Sequence, residues 1–489
     1  MGHAQDAAQH STLAAFESGA LTGGERPRRI DTHLSHVFLT ETRVYKLKRA
    51  IKLPFVDFTT RSQRRAACEA ELEINRRQAR DLYLKVADVT RTDDGAIALD
   101  GAGEAVDSVV VMRRFRDEDL FDTMAREGRL TADLVEETAR VIAAFHGALE
   151  PCAMPLTVAA LIDELEETER AGAAAHGLEP RGARVFAGLR AAFARQEELL
   201  RARAAVGKVR HGHGDLHLRN ICLFEGRPTL FDAIEFDPEI ATGDVLYDFA
   251  FLLMDLVHRD LKPLANRALN CYFDAAREDE AALALLPFLM ALRAAVRMAV
   301  LTQGGDQDEA ASYRALALSL LEPRTLTMVA IGGLSGTGKS RAARDLAPLL
   351  PGACGARILR SDVVRKEEAG DPDYSPAART AVYRALFVRA QAAGTGASVI
   401  VDATFQDEVR RREMVAAAGA GPFVAAWLGA PQAVRTERIG GRHADVSDAD
   451  AAVAAAQHEP DRLEAPWQMI DAAGTPQETL AQLCRLVAR

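Results

Sequence analysis

Disulfide and zinc chemistry find little support in this sequence. Its six cysteines, at positions 68, 152, 222, 271, 354 and 484, lie far apart and form no C-x-x-C pair. That usage fits reduced thiols in a cytoplasm better than a disulfide frame or a metal knuckle. Lysine is also scarce. Only eight of the 60 basic residues are Lys, and three of these, Lys46, Lys48 and Lys52, fall within seven positions. There is no excess of positive charge, since 70 acidic residues against 60 basic ones give a formal net charge of −10. This argues against a nucleic-acid backbone as the main partner. No uninterrupted apolar run reaches membrane-spanning length, and the first twenty residues lack the basic stretch and apolar core of a secretory signal. The expected setting is cytoplasmic, with no membrane partner.

What remains is a globular composition, 48% hydrophobic and 27% charged. A chain of 489 residues is too long for one ordinary core, so two or three domains are expected. No internal repeat relates the two halves.

The most informative stretch runs from His211 to Asp237, HGHGDLHLRNICLFEGRPTLFDAIEFD. Asp215 is followed after five residues by Asn220, so one loop can present a base and a metal-binding amide. Asp232 closes the apolar strand Thr229-Leu230-Phe231 and brings a carboxylate beside them. This set suits phosphoryl transfer, in which a carboxylate takes a hydroxyl proton while an amide and a second carboxylate hold magnesium against ATP phosphates.

Upstream, HVFLTETRVYKLKRAIKLPF alternates apolar and polar residues around the turn TETR, as two antiparallel strands would. Val44, Lys46 and Lys48 share one strand face. Lys46 is the first candidate to pair with phosphates and Lys48 the second. A charged helix from 62 to about 80 offers Glu71 to orient the lysine, with Glu69 and Glu73 as rivals. Strands follow at 84–91 and 108–115, where Val109 to Met112 would floor an adenine pocket and Arg113 to Phe115 form the hinge out of it. The chain then becomes mainly helical to Leu321. Leu134, Thr138, Val141, Ile142, Phe145 and Leu149 form a core stripe, with His146 beside it as a structural residue. A helical region covers 158–203, and GDVLYDFAFLLMDLV is an apolar helix with Asp244 and Asp248 near its start.

HGDLHLRN, LFDAIEF and GDVLYDFA together resemble the aminoglycoside phosphotransferase family, whose fold is similar to that of protein kinases. The resemblance covers about residues 28–322. It implies an N-lobe near 28–115 and a C-lobe near 116–322, with Asp215 as catalytic base, Asn220 and Asp232 as magnesium ligands, and Lys46 in VYK as the phosphate-binding lysine. THLSHVF (32–38), which contains Ser35, looks like the family's serine-containing nucleotide loop. In one departure, Glu235 stands three residues after Asp232, where the family often has an acid two residues on. The family includes kinases of choline, homoserine and fructosamines, so the resemblance implies a small hydroxyl-bearing substrate.

Beyond Pro323 a second nucleotide signature appears. LTMVAIGG reads as a buried strand, SRAARDLAPLL as a helix, and GGLSGTGKS between them satisfies G-x-x-x-x-G-K-[ST]. Gly333, Ser335, Gly336, Thr337 and Gly338 form the loop, and the amides of its last three residues would cradle phosphates at the helix N-terminus. Lys339 would reach the β- and γ-phosphates and Ser340 would ligate magnesium. Strands at 356–360, 398–404 and 423–430, with a weaker one in WQMIDAAG, alternate with helices, which implies a parallel sheet. Asp362 stands where a substrate base would, Arg365 can hold an anionic substrate, and Asp402 ends its strand as a second magnesium ligand. Arg435, Arg438 and Arg442 fall on one helical face, as on a lid that closes over phosphates.

Residues 326–489 resemble small P-loop kinases such as gluconate kinase, chloramphenicol phosphotransferase and the zeta-toxin kinases, which implies a small-molecule acceptor or a nucleic-acid 5′-hydroxyl end. The expected architecture is therefore an α+β protein-kinase-like domain (1–322) joined to an α/β P-loop domain with a parallel sheet (323–489). Each would bind ATP and Mg2+. In an alternative reading, one domain senses ATP or binds a partner and controls the other; a plain ATPase is a third.

Overall fold

The computed structural model describes residues 9–53, 56–153, 157–369, 375–440, 458–460 and 462–488. It divides into two compact units, Met1–Leu156 with Arg203–Leu252, and Thr157–Ala202 with Leu253–Arg489. Pro323 lies inside the second.

The first unit is built on a six-stranded antiparallel sheet. Its strands are β1 (Arg28–Asp31), β2 (Ser35–Leu39), β3 (Arg43–Lys48), β4 (Tyr83–Arg91), β5 (Ile97–Leu99) and β6 (Glu104–Arg113), in the order β1-β2-β3-β6-β4-β5. Alternation along the strands assigns the two faces. Leu47, Val109 and Val111 pack with α1 (His10–Glu17), where Phe16 stacks on Phe38 at 4.4 Å between ring centroids. Val44, Val110 and Met112 lie on the opposite face with Cys68 of α2 (Arg61–Arg76). Lys46 and Lys48 share the parity of Val44, so β3 turns both ammonium groups toward α2. The run from Val109 to Met112 is thereby split, with only Val110 and Met112 on the lysine face. A capping box between Thr60 and Gln63 starts α2.

The remainder of this unit includes α3 (Ala132–Ala148) and two strand pairs: β7 (Val209–His211) with β10 (Thr242–Asp244), and β8 (Ile221–Phe224) with β9 (Arg227–Leu230). The second pair turns at Glu225 and Gly226, both with positive φ, as a tight hairpin requires. The buried face of α3 carries Val135, Ala139, Ile142, Ala143 and His146. It is rotated slightly from the expected stripe, since Leu134 and Val141 are only half-buried.

In the second unit, the helical region expected over 158–203 is two helices, α4 (Val158–Ala175) and α5 (Ala183–Ala205), separated by a turn in which Gly177 has φ 67°. They are followed by α6 (Val245–His258), whose start belongs to the first unit, α7 (Lys262–Ala276), α8 (Leu286–Gly304) and α9 (Gln307–Leu321). The stretch Glu280–Gly304 is long and apolar enough to cross a membrane, but 72% of its apolar window is buried inside the protein. It is a core helix.

The P-loop sheet has five parallel strands, β11 (Met328–Gly333), β12 (Ala356–Arg360), β13 (Ser398–Asp402), β14 (Phe423–Gly429) and β15 (Trp467–Asp471), in the order β12-β13-β11-β14-β15. Helices α10 (Lys339–Leu346), α11 (Ser361–Ala369), α12 (Pro376–Ala393), α13 (Glu408–Ala418), α14 (Gln432–Gly440) and α15 (Pro476–Val487) alternate with them. Thus an α+β domain is followed by an α/β domain with a parallel sheet, as expected.

The edge strand β12 is not left open. The Asn266 amide nitrogen on α7 donates to the Cys354 and Ala356 carbonyls at 2.9 Å each, and the Ile358 amide donates to Asn270 Oδ1 at 2.7 Å. Arg357 is fully buried and forms a fork on Glu280 at 2.9 and 3.0 Å, with Asp274 at 2.6 Å. Covering an edge in this way satisfies its backbone groups and blocks pairing with other chains.

Candidate active sites

In the first unit, β3, α2 and the segment after β9 converge on one charge cluster. Lys46 Nζ lies 2.5 Å from Glu71 Oε1 and 2.5 Å from Asp232 Oδ1. Lys48 Nζ lies 2.6 Å from Glu71 Oε2 and also pairs with Glu235. Each Glu71 oxygen therefore serves one lysine. Glu71 is fully buried, whereas Glu73 is exposed and Glu69 pairs with Arg65 on the outer face of the helix.

Burial alone would raise the Glu71 carboxyl, but Lys46 and Lys48 beside it hold it at about 2. Burial would likewise lower Lys46, yet Asp232 and Glu71 keep it well above its usual range. For Glu235 burial prevails over Lys48 and raises its carboxyl. Three carboxylates thus face two ammonium groups.

Asp232 adopts a left-handed backbone, φ 62°. For a residue with a Cβ this costs about 1–2 kcal/mol. Neighbours hold the turn: the Asp232 amide donates to Tyr83 Oη at 3.1 Å and the Ala233 amide to Asn75 Oδ1 at 2.9 Å. Asn75 in turn donates to the Glu71 carbonyl at 2.9 Å, so α2 grips the Asp232 turn directly.

The loop from His211 to Asn220 hangs from Asp248. That buried carboxylate accepts the His213 amide at 2.8 Å and the Gly214 amide at 3.0 Å, and His146 Nε2 approaches it at 3.3 Å. A Cβ on Gly212 would stand 2.6 Å from Asp248 Oδ2, so glycine is required there. His146 is therefore a structural support. Burial lowers the His213 imidazole below its ordinary value despite nearby Asp248 and Asp215. Asn220 Nδ2 donates to Asp215 Oδ2 at 2.8 Å and to its carbonyl at 2.9 Å, and His217 Nε2 lies 3.3 Å from the same carboxylate. With Nδ2 committed, the amide oxygen is what Asn220 has to offer a cation. The side chains of Asp215 and Asp232 remain 36% and 45% exposed, open enough to meet substrate and metal. Ser35 opens β2 after the turn 32–34 and pairs in register with Lys48.

Asp248, Asn75 and Tyr83 had no assigned role in the sequence reading. An acid at the start of an otherwise apolar helix was the visible signal for Asp248.

In the second unit, Gly333, Gly336 and Gly338 have φ values of 144°, 86° and 91°. Added Cβ atoms on the first two would meet the Leu428 and Arg435 carbonyl oxygens at 2.6 Å each. Thr337, buried, donates its hydroxyl to the Leu334 carbonyl at 2.8 Å, and Lys339 Nζ turns back to that carbonyl at 3.0 Å. Ser335 is buried in the same loop. Ser340 Oγ donates to Asp402 Oδ2 at 2.7 Å, uniting the hydroxyl and the carboxylate expected to share magnesium. Arg360 adds a guanidinium 3.2 Å from Ser340 Oγ. Burial raises the Asp402 carboxyl against the pull of Lys339 and Arg360.

Asp362, in the first turn of α11, lies 3.2 Å from Arg365. Arg438 is otherwise engaged: its guanidinium donates to the carbonyls of Ala472, Ala473 and Gly474 at 2.7, 3.3 and 2.8 Å. Arg442 lies outside the described residues. No cluster of three or more His, Cys, Asp or Glu forms a metal cage among the described residues. Magnesium sites that borrow phosphate oxygens do not need one.

The family model described as "Phosphotransferase enzyme family" matches residues 35–286, just over half of the chain. The chain belongs to the phosphotransferase enzyme family. A second model, "AAA domain", matches residues 328–466. This phosphotransferase family member is 31% identical over 490 residues to uncharacterized proteins of Mycobacterium tuberculosis (strain H37Rv) and Mycobacterium bovis, covering 92% of this chain and 93% of theirs. Among solved structures it is similar to a choline kinase of Cryptosporidium parvum at 8% identity, covering 64% of this chain and 95% of that one, TM-score 0.42. It is similar to an amicoumacin kinase at 15%, covering 66% and 96%, TM-score 0.40. It is also similar to a gluconokinase of Sinorhizobium meliloti at 23%, covering 34% and 96%, TM-score 0.27. A protein-kinase-like domain is fused to a second, P-loop nucleotide-binding domain.

Proposed function

We propose that this chain is a two-site ATP-dependent phosphotransferase. At the first site Asp215 accepts the proton of a small-molecule hydroxyl as that oxygen bonds to the γ-phosphorus. The bond from γ-phosphorus to the β–γ bridging oxygen breaks, and ADP leaves with the electron pair. Lys46, oriented by Glu71, exchanges its bond to Asp232 for ATP phosphate oxygens. Asp232 and Asn220 are then available to hold Mg2+, which would neutralise charge developing on the phosphates. The turn leading to Ser35 covers the phosphates. The observation that carries this reading is Lys46 held 2.5 Å from both Glu71 and Asp232, together with an Asp215 carboxylate bonded by Asn220.

At the second site we propose that the amides of residues 336–338 hold ATP phosphates, with Lys339 swinging from the Leu334 carbonyl to reach them. Ser340 and Asp402 would hold Mg2+, Asp362 would serve as base with Arg365 beside it, and Arg442 would belong to the closing lid. Six cysteines, none of them in a disulfide, support a reducing, cytoplasmic setting.

The test is labelled ATP with sugars, aminoglycosides, nucleosides and 5′-hydroxyl oligonucleotides as acceptors. Asp215→Ala is expected to slow transfer at the first site by about 10²- to 10⁴-fold, and Lys339→Ala to disable only the second. Wild-type transfer by both variants to every acceptor would overturn the proposal. A second site that binds ATP, transfers to nothing and alters the first would instead favour a sensing module.

A further inference from the structure

Four of the buried arginines of this protein share one arrangement. Arg64 forms a fork on Asp107, Arg203 on Asp244, Arg357 on Glu280 and Arg411 on Glu464, each with two nitrogen–oxygen distances of 2.7–3.0 Å. Arg435 is also buried, with 7% of its surface exposed. Yet its Nε is sealed from solvent without an acceptor, and among the described residues no carboxylate or carbonyl engages its guanidinium. An arginine cannot escape this cost by losing its proton. Burying a charge without a partner is unfavourable, so such a group marks a place where an anion is missing.

The position of Arg435 says which anion. It lies on α14, and its backbone carbonyl would stand 2.6 Å from a Cβ on Gly336, in the middle of the phosphate loop. Of the two described arginines expected on this helical face, Arg438 is occupied by three carbonyls and Arg435 is not. We propose that Arg435 is a phosphate ligand of the second nucleotide site, its buried Nε left without an acceptor until ATP arrives. This rests on the reading of residues 333–340 as a nucleotide site.

The proposal separates affinity from stability. Arg435→Met keeps a long side chain and removes the charge. In the full-length protein it is expected to raise the nucleotide-free melting temperature, because an unpaired buried charge is gone. It should also weaken ATP binding at the second site by roughly 10- to 100-fold, the scale of a lost charged hydrogen bond. Calorimetric titration with Mg-ATP reads both sites, and Lys339→Ala identifies which isotherm belongs to the second. Arg435→Lys, which keeps charge without the fork, should recover part of the affinity.

If Arg435→Met lowers the nucleotide-free melting temperature, the arginine is a structural support and the proposal is wrong. If that isotherm is unchanged in Arg435→Met but lost in Lys339→Ala, the proposal fails while the nucleotide site stands. If Lys339→Ala titrates as wild type, the reading of the site itself fails and takes the proposal with it.

Discussion

The two lysines expected to meet ATP are held in different ways. Lys46 sits between carboxylates 25 and 186 residues away in sequence, one on a helix and one on the turn after a hairpin. Lys339 rests on a carbonyl only five residues before it. The first site is thus assembled by tertiary structure, and its buried charges compensate one another before any ligand binds. The second is assembled by one loop and one helix end, and Arg435, whose backbone lies against Gly336 of that loop, has a buried Nε without an acceptor. In the first region the ion pairs that hold the elements together are also the proposed binding site. In the second, the buried ion pairs of Arg357 lie along the sheet edge, on residues other than those of the phosphate loop.

The largest effect expected from this contrast is at Glu71. Glu71→Gln leaves Lys46 and Lys48 buried with one carboxylate fewer, and breaking such a pair costs about 3–5 kcal/mol. Stability and ATP affinity of the first site should fall together, measured by denaturant melting and by titration. Retained ATP affinity in a folded Glu71→Gln protein would break the identity of strut and site.

Arg357→Met comes next. It removes the fork on Glu280 but leaves Arg389 at 2.7 Å from that carboxylate, so the cost should lie at the lower end of about 3–5 kcal/mol. ATP affinity at the second site should stay within about twofold of wild type, the scatter expected for a distant substitution. Residues 323–489 expressed alone lack Glu280, Asp274, Asn266 and Asn270, and are expected to lose a cooperative melting transition. Independent cooperative folding of that fragment would show that the sheet-edge contacts are dispensable.

The same contrast explains what the sequence made legible. The second loop is local, so Gly333 to Ser340 could be read as a motif, and Ser340 meets Asp402 as that motif implied. At the first site the alternation of β3 put Lys46 and Lys48 on one face, but the choice of Glu71 over Glu69 and Glu73 depended on which helix face is buried, a tertiary fact. Asp248 lay 34 and 35 residues from the amides it anchors, and nothing local announces such a return. Periodicity put Arg438 on a lid face, but it could not foresee that three carbonyls of a distant turn would take up its guanidinium. The break within 158–203 has its signal in HGLEPRG, which holds two glycines and a proline, although the stretch reads as one helical region. Arg357 also left a signal, a charge in the middle of the buried strand ARILR, which calls for an acidic partner elsewhere in the chain.

The smallest expected effect is a pH dependence confined to the first site. His213 Nε2 lies 2.9 Å from the Phe231 carbonyl and must donate to it, so Nδ1 carries no proton and faces the Asp215 amide at 3.4 Å. Asp248, Asp215 and Asp232 around the ring favour a second proton, but burial outweighs them and the imidazole stays below its ordinary 6.5. A folded value below the unfolded one means that the stabilisation is complete above about pH 6.5 and is lost as pH falls through the lower folded value. Protonated Nδ1 would turn a donor toward the Asp215 amide and disturb the loop that presents Asp215, the proposed base. Transfer at the first site should therefore decline on the acid side before Glu71, held at about 2, begins to protonate. The P-loop residues Lys339, Ser340 and Asp402 have no histidine among their described contacts, so ATP affinity at the second site should change less over the same interval. Parallel pH profiles for the two sites would place the acid-sensitive group elsewhere and remove His213 from the account.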